Sequence, residues 1–208
     1  AQGTALPSGF AVGQPAFSGV IREAAVAGVS GWRDQGHAKA SVAGQDVTAN
    51  HRDATLSAQV ALEPGPRLRF GRLTVQGQDR MREDRIRAIA GFPSGQVFDP
   101  QALRRSADRL RRAGVFRSVA LAEADVPGPD GTLDVTATLV EDLPRRYGYG
   151  AEVSTLDGLD LSAFWMHRNL RGGAERLRFD MQAQNIGSQD SGIDYLLGVT
   201  LERPATFT

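Results

Sequence analysis

The chain of 208 residues has no cysteine and a single lysine, Lys39. Without cysteine there is no disulfide, no thiolate metal ligand and no cysteine nucleophile, although the cellular compartment stays open. No run of about 18 apolar residues occurs, so the sequence predicts no transmembrane helix. Acidic and basic side chains number 24 each, so no net charge draws the whole chain toward nucleic acid or acidic lipid.

Catalytic motifs are equally scarce. The three histidines are scattered without metal-ligand spacing, and Gly148-Tyr149-Gly150 lacks the third glycine and the following helix of a dinucleotide loop. The adjacent acids Glu83 and Asp84 fit the first turn of a helix, where negative charge is favoured. We therefore predict a protein that is not an enzyme, with no catalytic residues, no cofactor and no metal site.

One compact pattern fills Leu68–Leu143: a strand, a short helix, a longer helix and two strands. The first strand, residues 68–75, stops near a glycine, and the short helix 82–90 ends at another glycine. Asp99-Pro100 predicts the start of the longer helix, with an N-cap carboxylate and a proline in the first helical position. The two strands that close the unit are predicted at 116–124 and 133–139, the second alternating apolar and polar side chains.

The stretch Ala5–Leu62 repeats the last four of these elements in poorer copy, at an offset that carries Gly36 onto Gly114. Its helix is predicted from Phe17 onward, with Val20, Ile21, Ala24 and Ala25 on the same stripe, and its strands at 38–43 and 55–62. No good first strand precedes it, so we expect the chain to begin inside a domain. Tandem small units of this kind favour a modular binding arm over a catalytic core.

Beyond Leu143 four segments alternate with a period of two. They have the length and patterning of membrane-spanning strands, which hold about 9–11 residues. An antiparallel sheet in a soluble sandwich has the same alternation and remains an alternative on pattern alone. The side chains predicted to share one face are Tyr147, Tyr149, Ala151 and Val153; Leu159, Leu161, Ala163 and Trp165; Leu177, Phe179, Met181 and Ala183; and Ile193, Tyr195, Leu197, Val199 and Leu201.

Five arginines and one acid, Asp108, stand on the longer helix. Such a cluster could meet the phosphates of lipid or nucleic acid, but a solvated helix face is the simpler interpretation. No aromatic residues interleave with it, which argues against single-strand nucleic-acid binding. We predict no nucleic-acid partner. The arginines are Arg104, Arg105, Arg109, Arg111 and Arg112.

The unit at Leu68–Leu143 resembles a POTRA domain, the periplasmic repeat of the outer-membrane barrel assembly and translocation superfamily. The likeness rests on short motifs and on the segments that follow the unit. It is greatest to the TamA branch, with the BamA-like insertases and the two-partner-secretion transporters as alternative branches. The motifs are Gly65-Pro66, Phe70-Gly71, Val75-Gln76-Gly77, Leu110–Phe116 with Gly114, Arg146–Gly150 as a first barrel strand, Asn169–Glu175 as an early turn, and Glu202-Arg203-Pro204.

The resemblance implies an α+β fold with tandem POTRA-like β-α-α-β-β units, followed by antiparallel strands from the start of a transmembrane β-barrel. The expected domains are a partial POTRA-like unit over 1–66, a POTRA-like unit over 67–143 and the first barrel strands over 144–208. A barrel does not close with about four strands, so we expect a fragment or a truncated gene product.

The implied function is outer-membrane protein assembly or translocation, with the POTRA-like units in the periplasm. The implied partners are unfolded outer-membrane or autotransporter client proteins, an inner-membrane-anchored partner that spans the periplasm, and outer-membrane lipid. A two-partner-secretion transport pore and a soluble periplasmic adaptor are the alternatives.

Clients are expected to pair with an open strand edge, because main-chain hydrogen bonds tolerate many sequences. In POTRA-like sheets the strand after the second helix lies at an edge. The candidate pairing strand is therefore Arg117, Ser118, Val119, Ala120, Leu121 and Ala122, with Val119 and Leu121 predicted to point to the core.

Overall fold

The computed structural model describes residues 4–15, 17–155, 158–188 and 192–204, which form three helices and nine strands. The predicted α+β fold is confirmed. No helix in these residues is both long enough and apolar enough to cross a membrane. In chain order the elements are α1 (Ser18–Asp34), β1 (Ser41–Asn50), β2 (Thr55–Glu63), β3 (Arg69–Gln76), α2 (Glu83–Ala90), α3 (Pro100–Arg112), β4 (Phe116–Glu123), β5 (Thr132–Glu141), β6 (Arg145–Ser154), β7 (Gly158–Arg168), β8 (Arg176–Ile186) and β9 (Asp194–Glu202).

The first repeat holds α1 and a two-stranded antiparallel sheet of β1 and β2. Ile21, Ala24 and Ala25 are buried on α1 as the apolar stripe predicts, but Phe17 occupies the N-cap position and is largely exposed. Strand β1 begins three residues later than expected and continues to Asn50. The late start follows a turn in which the Ala40 amide donates to the His37 carbonyl, and the extension follows from pairing with β2 as far as Thr55.

The second repeat has the strand order β3-β5-β4, so β5 is central. Its inward side chains are almost completely buried, which explains the strict alternation of its sequence. Helix α2 ends at Gly91, which adopts the left-handed conformation with φ 53°. The Asp99 carboxylate accepts the amide of Gln101 at 2.7 Å, which confirms the predicted N-cap of α3. The buried β5 side chains are Leu133, Val135, Ala137 and Leu139.

Strand β3 carries an irregularity that accounts for the Phe70-Gly71 motif. Phe70 and Leu73 are both buried although they lie three positions apart, so the alternation slips between them. At this point the amide of Arg72 donates to the Asp134 carboxylate at 2.7 Å. A Cβ atom at Gly71 would collide with that carboxylate. Glycine is therefore required where the strand and the Asp134 side chain approach each other.

The third sheet has the order β6-β7-β8-β9, and all its neighbours are antiparallel. Its strands contain 10, 11, 11 and 9 residues, which fits the predicted spanning length. The segment Asn169–Glu175 forms the turn between β7 and β8, as the sequence predicts, and Asn169 and Ala174 have positive φ there.

The described residues divide into two compact units. The first draws on Ala1–Thr74, Pro93–Arg104 and Glu123–Val135, and the second on Val75–Phe92, Arg105–Ala122 and Thr136–Thr208. Each unit therefore contains part of the second repeat. The second unit also contains all four strands of the third sheet, together with α2, most of β4 and the end of β5.

Candidate functional site

Strand β4, which carries the predicted pairing residues, lies at the edge of the three-stranded sheet. Val119 is buried and Leu121 is half-buried, whereas Ser118, Ala120 and Ala122 are exposed. The small side chains therefore point away from the core, and the apolar ones point into it. An edge with small outward side chains leaves room for another backbone to approach.

The alternation of β4 slips at Arg117 and Ser118. Both side chains are exposed, while Phe116 and Val119 on either side of them are buried. Two consecutive outward residues are the mark of a bulge, which twists a strand and interrupts its ladder. The regular part of the strand therefore starts at Val119. The predicted pairing segment of six residues is shortened at its beginning by this bulge.

One hydrogen bond shows which backbone groups of β4 point outward. The amide of Ala124 donates to the Asp134 carbonyl at 2.9 Å, so the backbone groups of Ala124 face β5. Because N–H and C=O groups alternate along a strand, those of Ala122 and Ala120 also face β5, and those of Val119 and Leu121 face outward. Within residues 119–122, only Val119 and Leu121 direct their N–H and C=O groups outward, so the open edge is short.

The first outward carbonyl after the bulge already has a partner from α3. Arg111 Nη2 donates to the Val119 carbonyl oxygen at 3.3 Å, and Arg111 Nη1 donates to Asp108 Oδ1 at 2.9 Å. Another arginine of the same helix, Arg109, donates to the carbonyl oxygens of Ala90 and Gly91 at the end of α2. Arg109 and Arg111 thus hold backbone carbonyls, which the charge pattern of the helix did not indicate.

The opposite edge of this sheet is partly covered. The amide of Phe70 donates to Gln96 O at 2.8 Å, its carbonyl accepts from Gly95, and the amide of Phe98 donates to Leu68 O. The segment 95–98 therefore acts as a short extra strand beside β3. This covering makes β4 the better candidate for pairing with another chain.

A second feature, which the sequence did not reveal, connects the second repeat to the third sheet. Glu141 Oε1, at the end of β5, accepts three consecutive amides, those of Asp79, Arg80 and Met81, at 2.9, 2.9 and 2.8 Å. The next amide along the chain, that of Arg82, donates to the Gly172 carbonyl at 2.9 Å. We call residues 79–82 the joint loop.

The turn at Gly172 fits closely against the joint loop. Gly172 has φ 77°, and a Cβ atom there would lie 3.0 Å from the Arg80 carbonyl oxygen. Met81 and Ala174 are buried, at 3% and 1% exposure. Glu175 Oε2 accepts the amides of Arg171 and Gly173 and so closes the turn. Backbone contacts and apolar packing thus hold the joint loop between β5 and the β7–β8 turn.

Two carboxyl groups near this joint have lowered pKa values. Hydrogen bonding from the Leu143 amide lowers the pKa of Asp142, and the ion pair with Arg168 adds to this effect. Burial alone would raise the pKa of Glu175, but the amides that its carboxylate accepts outweigh burial and lower it. Both groups are therefore stabilised as carboxylates, and each holds its neighbours in place.

The third sheet exposes a continuous apolar face. Tyr149, Leu197 and Val153 are 91%, 79% and 81% exposed. Tyr147, Trp165 and Phe179 lie in register across three strands and form an aromatic row near the joint. An apolar face of this extent marks a surface that meets lipid or another protein, and an aromatic row at its border is typical of a membrane interface.

The other face of the same sheet is more polar. Arg178 stacks on the Phe164 ring at 4.1 Å and pairs with Asp180, while Phe164 itself covers Gly148 on the neighbouring strand. In the part of the chain that the structure describes, no three His, Asp or Glu side chains come together in a way that could hold a metal ion.

Comparisons with known proteins agree with this architecture. Residues 68–142 match the family model described as POTRA: Surface antigen variable number repeat. No curated protein matches the chain. Solved structures of BamA and CdiB are among those that share its fold.

BamA from Haemophilus ducreyi lacking POTRA domains 1–3 has 19% identity and a TM-score of 0.72, over 84% of this chain and 33% of that one. BamA POTRA3-5 from Haemophilus influenzae has 19% identity and a TM-score of 0.56, over 64% of this chain and 52% of that one. CdiB from Escherichia coli has 15% identity and a TM-score of 0.56, over 92% of this chain and 34% of that one.

The chain thus spans about a third of the length of the Haemophilus ducreyi BamA structure. At these identities the likeness to solved structures shows the fold alone. Residues 68–142 thus match the POTRA family model, and the fold of the chain is shared with the BamA and CdiB structures.

Proposed function

We propose that this chain is the periplasmic arm and the first barrel strands of a TamA-like outer-membrane assembly factor, which binds client polypeptides by strand pairing and aids their insertion. It acts without chemistry of its own. The observation that carries the proposal is that part of the POTRA repeat lies in one compact unit with a sheet that has an exposed apolar face. The arm would lie in the periplasm and the sheet in the outer membrane.

The size of the apolar face supports a lipid environment. On β9 it extends from Tyr195 to Leu201 in four alternating positions, and all of these side chains are at least two-thirds exposed. Each step of two residues covers about 6.6 Å, so the row is about 20 Å long. This length approaches the apolar band of about 25 Å in outer-membrane barrels. The proposed partners of this region are lipid and the inserting client.

The client would bind at the edge of β4. Its extended backbone would pair with the outward groups of Val119 and Leu121, while Ser118 and Ala120 leave the approach open. Few hydrogen bonds form on so short an edge, and each is worth about 0.5–1.5 kcal/mol net. After the cost of ordering, the expected affinity is weak, on the order of micromolar to millimolar. Weak pairing suits a factor that releases its clients.

An inner-membrane-anchored partner that spans the periplasm is the proposed contact of the first repeat.

Photo-crosslinking tests the pairing edge. A crosslinking side chain is introduced at Ala120 on β4 and, as a matched control, at Arg105 on the solvent side of α3. The protein in detergent micelles is mixed with a urea-unfolded outer-membrane barrel precursor, diluted and irradiated. We expect adducts from position 120 and few from position 105. Equal yields from the two positions would show that no dedicated edge exists.

A transport pore of the two-partner-secretion type is the second candidate. The observation in its favour is the likeness to CdiB, which covers 92% of this chain at a TM-score of 0.56. The two candidates differ in their substrate: a pore serves one secreted protein, whereas an assembly factor serves many barrels. A neighbouring gene for a large secreted β-helical protein, and crosslinking at Ala120 to that protein alone, would favour the pore.

A further inference from the structure

The edge of β4 is not freely open, because a side chain of the adjacent helix lies across it. Arg111 belongs to the last turn of α3, and its guanidinium joins the Val119 carbonyl at 3.3 Å to the Asp108 carboxylate at 2.9 Å. The carbonyl of Val119 is the first outward acceptor after the bulge. It is therefore the group that an incoming strand needs at the start of its ladder.

The contact is built so that it can be displaced. More than half of the Arg111 side chain is exposed, at 56%, and Asp108 is 50% exposed. The bond to the carbonyl is at the long end of the hydrogen-bond range. An amide of an incoming strand can replace this bond at modest cost, because the guanidinium keeps its partner Asp108 when it moves aside. Natural sheet edges are commonly blunted by charged side chains in this way.

A displaced guanidinium would lie directly beside the bound strand. It carries several donors in a rigid fork and pairs best with a carboxylate, which accepts two of them. The surroundings add positive charge: Arg117 on the bulge and Arg112 on the helix are both exposed, and Asp108 is the single acid on α3. The electrostatic field at this edge therefore favours an acidic partner over a neutral one.

We infer that Arg111 blocks the β4 edge and, once displaced, selects extended polypeptide segments that carry an aspartate or glutamate opposite Val119. This inference rests on the proposed pairing function and adds a specificity to it. A neutral extended segment replaces the bond to the Val119 carbonyl with its own amide but offers the displaced Arg111 no new partner, whereas an acidic segment also forms an ion pair with Arg111. Arg111 thus suppresses the pairing of β4 with strands that carry no acidic side chain opposite Val119.

Two matched peptides test the inference. Both are ten-residue alternating Val/Thr strands with a photo-reactive group, and they differ only in a central Glu or Gln. Binding to the whole chain in detergent micelles is followed by fluorescence anisotropy, with crosslinking at Ser118 to identify the site. The variants are Arg111→Ala, Arg111→Lys and the control Arg104→Ala, which removes the same charge from the same helix at an exposed position.

The wild type is expected to prefer the Glu peptide by about two- to fivefold, the range of a half-exposed ion pair. Arg111→Ala is expected to bind the Gln peptide more tightly than the wild type does and to bind both peptides equally. Arg111→Lys is expected to keep a weaker preference for Glu, and Arg104→Ala to behave like the wild type. Unchanged melting of each variant shows that the fold is retained.

The inference fails if Arg111→Ala and the wild type bind the Gln peptide equally, or if Arg104→Ala loses the preference as fully as Arg111→Ala does. In either case a crosslink at Ser118 would leave the proposed pairing function intact. If neither peptide crosslinks to Ser118 in the wild type or in any variant, the pairing function itself is refuted, and the inference about Arg111 is refuted with it.

Discussion

Removal of the Glu141 carboxylate should loosen the joint loop that links the second repeat to the third sheet. The carboxylate oxygen accepts three amides at 2.8–2.9 Å. Hydrogen bonds to a charged group are worth about 1.5–3 kcal/mol each, but the amides of Asp79 and Arg80 are exposed and regain water when the acceptor is lost. Only the amide of Met81 is partly buried. We therefore expect Glu141→Ala to lower the free energy of local opening by about 2 kcal/mol.

The conservative variant separates charge from hydrogen bonding. Glu141→Gln keeps an oxygen that can accept the amides but loses the negative charge, so we expect about half of the effect, or about 1 kcal/mol. Glu23→Ala is the matched control, because Glu23 is an exposed glutamate on α1 of the first repeat. It should leave the joint loop unchanged.

Hydrogen exchange of the whole chain in detergent micelles, read by mass spectrometry, measures the effect. A loss of 2 kcal/mol corresponds to about 30-fold faster exchange of the amides of Arg80 and Met81. The amide of Arg82, which donates to Gly172 on the other side of the joint, should also exchange faster in Glu141→Ala. If all three amides keep their wild-type rates, Glu141 does not hold the loop. If Arg82 alone is unaffected, the loop is held at two independent points.

Three further perturbations test other parts of the structure. Asp99→Ala should cost about 1 kcal/mol of unfolding free energy through loss of the α3 cap, and an unchanged melting temperature would contradict the cap. Leu197→Arg on the apolar face should weaken flotation with lipid vesicles by about 2–4 kcal/mol, whereas Thr200→Arg on the opposite face should not; equal effects would argue against a lipid-facing side. Because folding lowers the pKa of Asp142, its carboxylate stabilises the protein above a pH of about 4, and this contribution disappears as the pH falls further. Asp142→Asn should therefore be less stable than the wild type at pH 7, by up to about 1 kcal/mol given its exposure, and equally stable near pH 2; an equal difference at both pH values would refute this assignment.

The local elements of this protein were largely predictable, because each has its own signal in the sequence. Asp99-Pro100 starts α3, Gly91 ends α2, and the alternation of β5 reports a strand with one buried face. Such signals depend on neighbours within a few positions along the chain. The length and alternation of the last four segments also predicted membrane-type strands, and the strand lengths in the structure agree with this prediction.

The candidate edge was predictable only in outline. The order β3-β5-β4 puts β4 at the edge, as the resemblance implied, and Val119 points inward as the alternation required. The bulge at Arg117 was not visible, because a slip by one residue leaves the sequence rich in strand formers throughout. The cover over β3 was missed as well, because the segment 95–98 contains a glycine and reads as a loop between helices.

The sequence by itself determined the elements of residues 68–143, the four strands that follow them and the side of each strand that is apolar, because these depend on spacing along the chain. In the first repeat it predicted two helices, whereas the described residues there form only α1. Only the tertiary structure decided which charged groups have partners. In the sequence Glu141 is one of two adjacent acids, yet its carboxylate accepts three amides of a loop about 60 positions away. Arg111 is one of five arginines on its helix, yet it donates to the carbonyl of a strand residue. A charge on a helix face or at a strand end has many possible acceptors and donors, and only the packing of distant segments brings one of them within 3.3 Å.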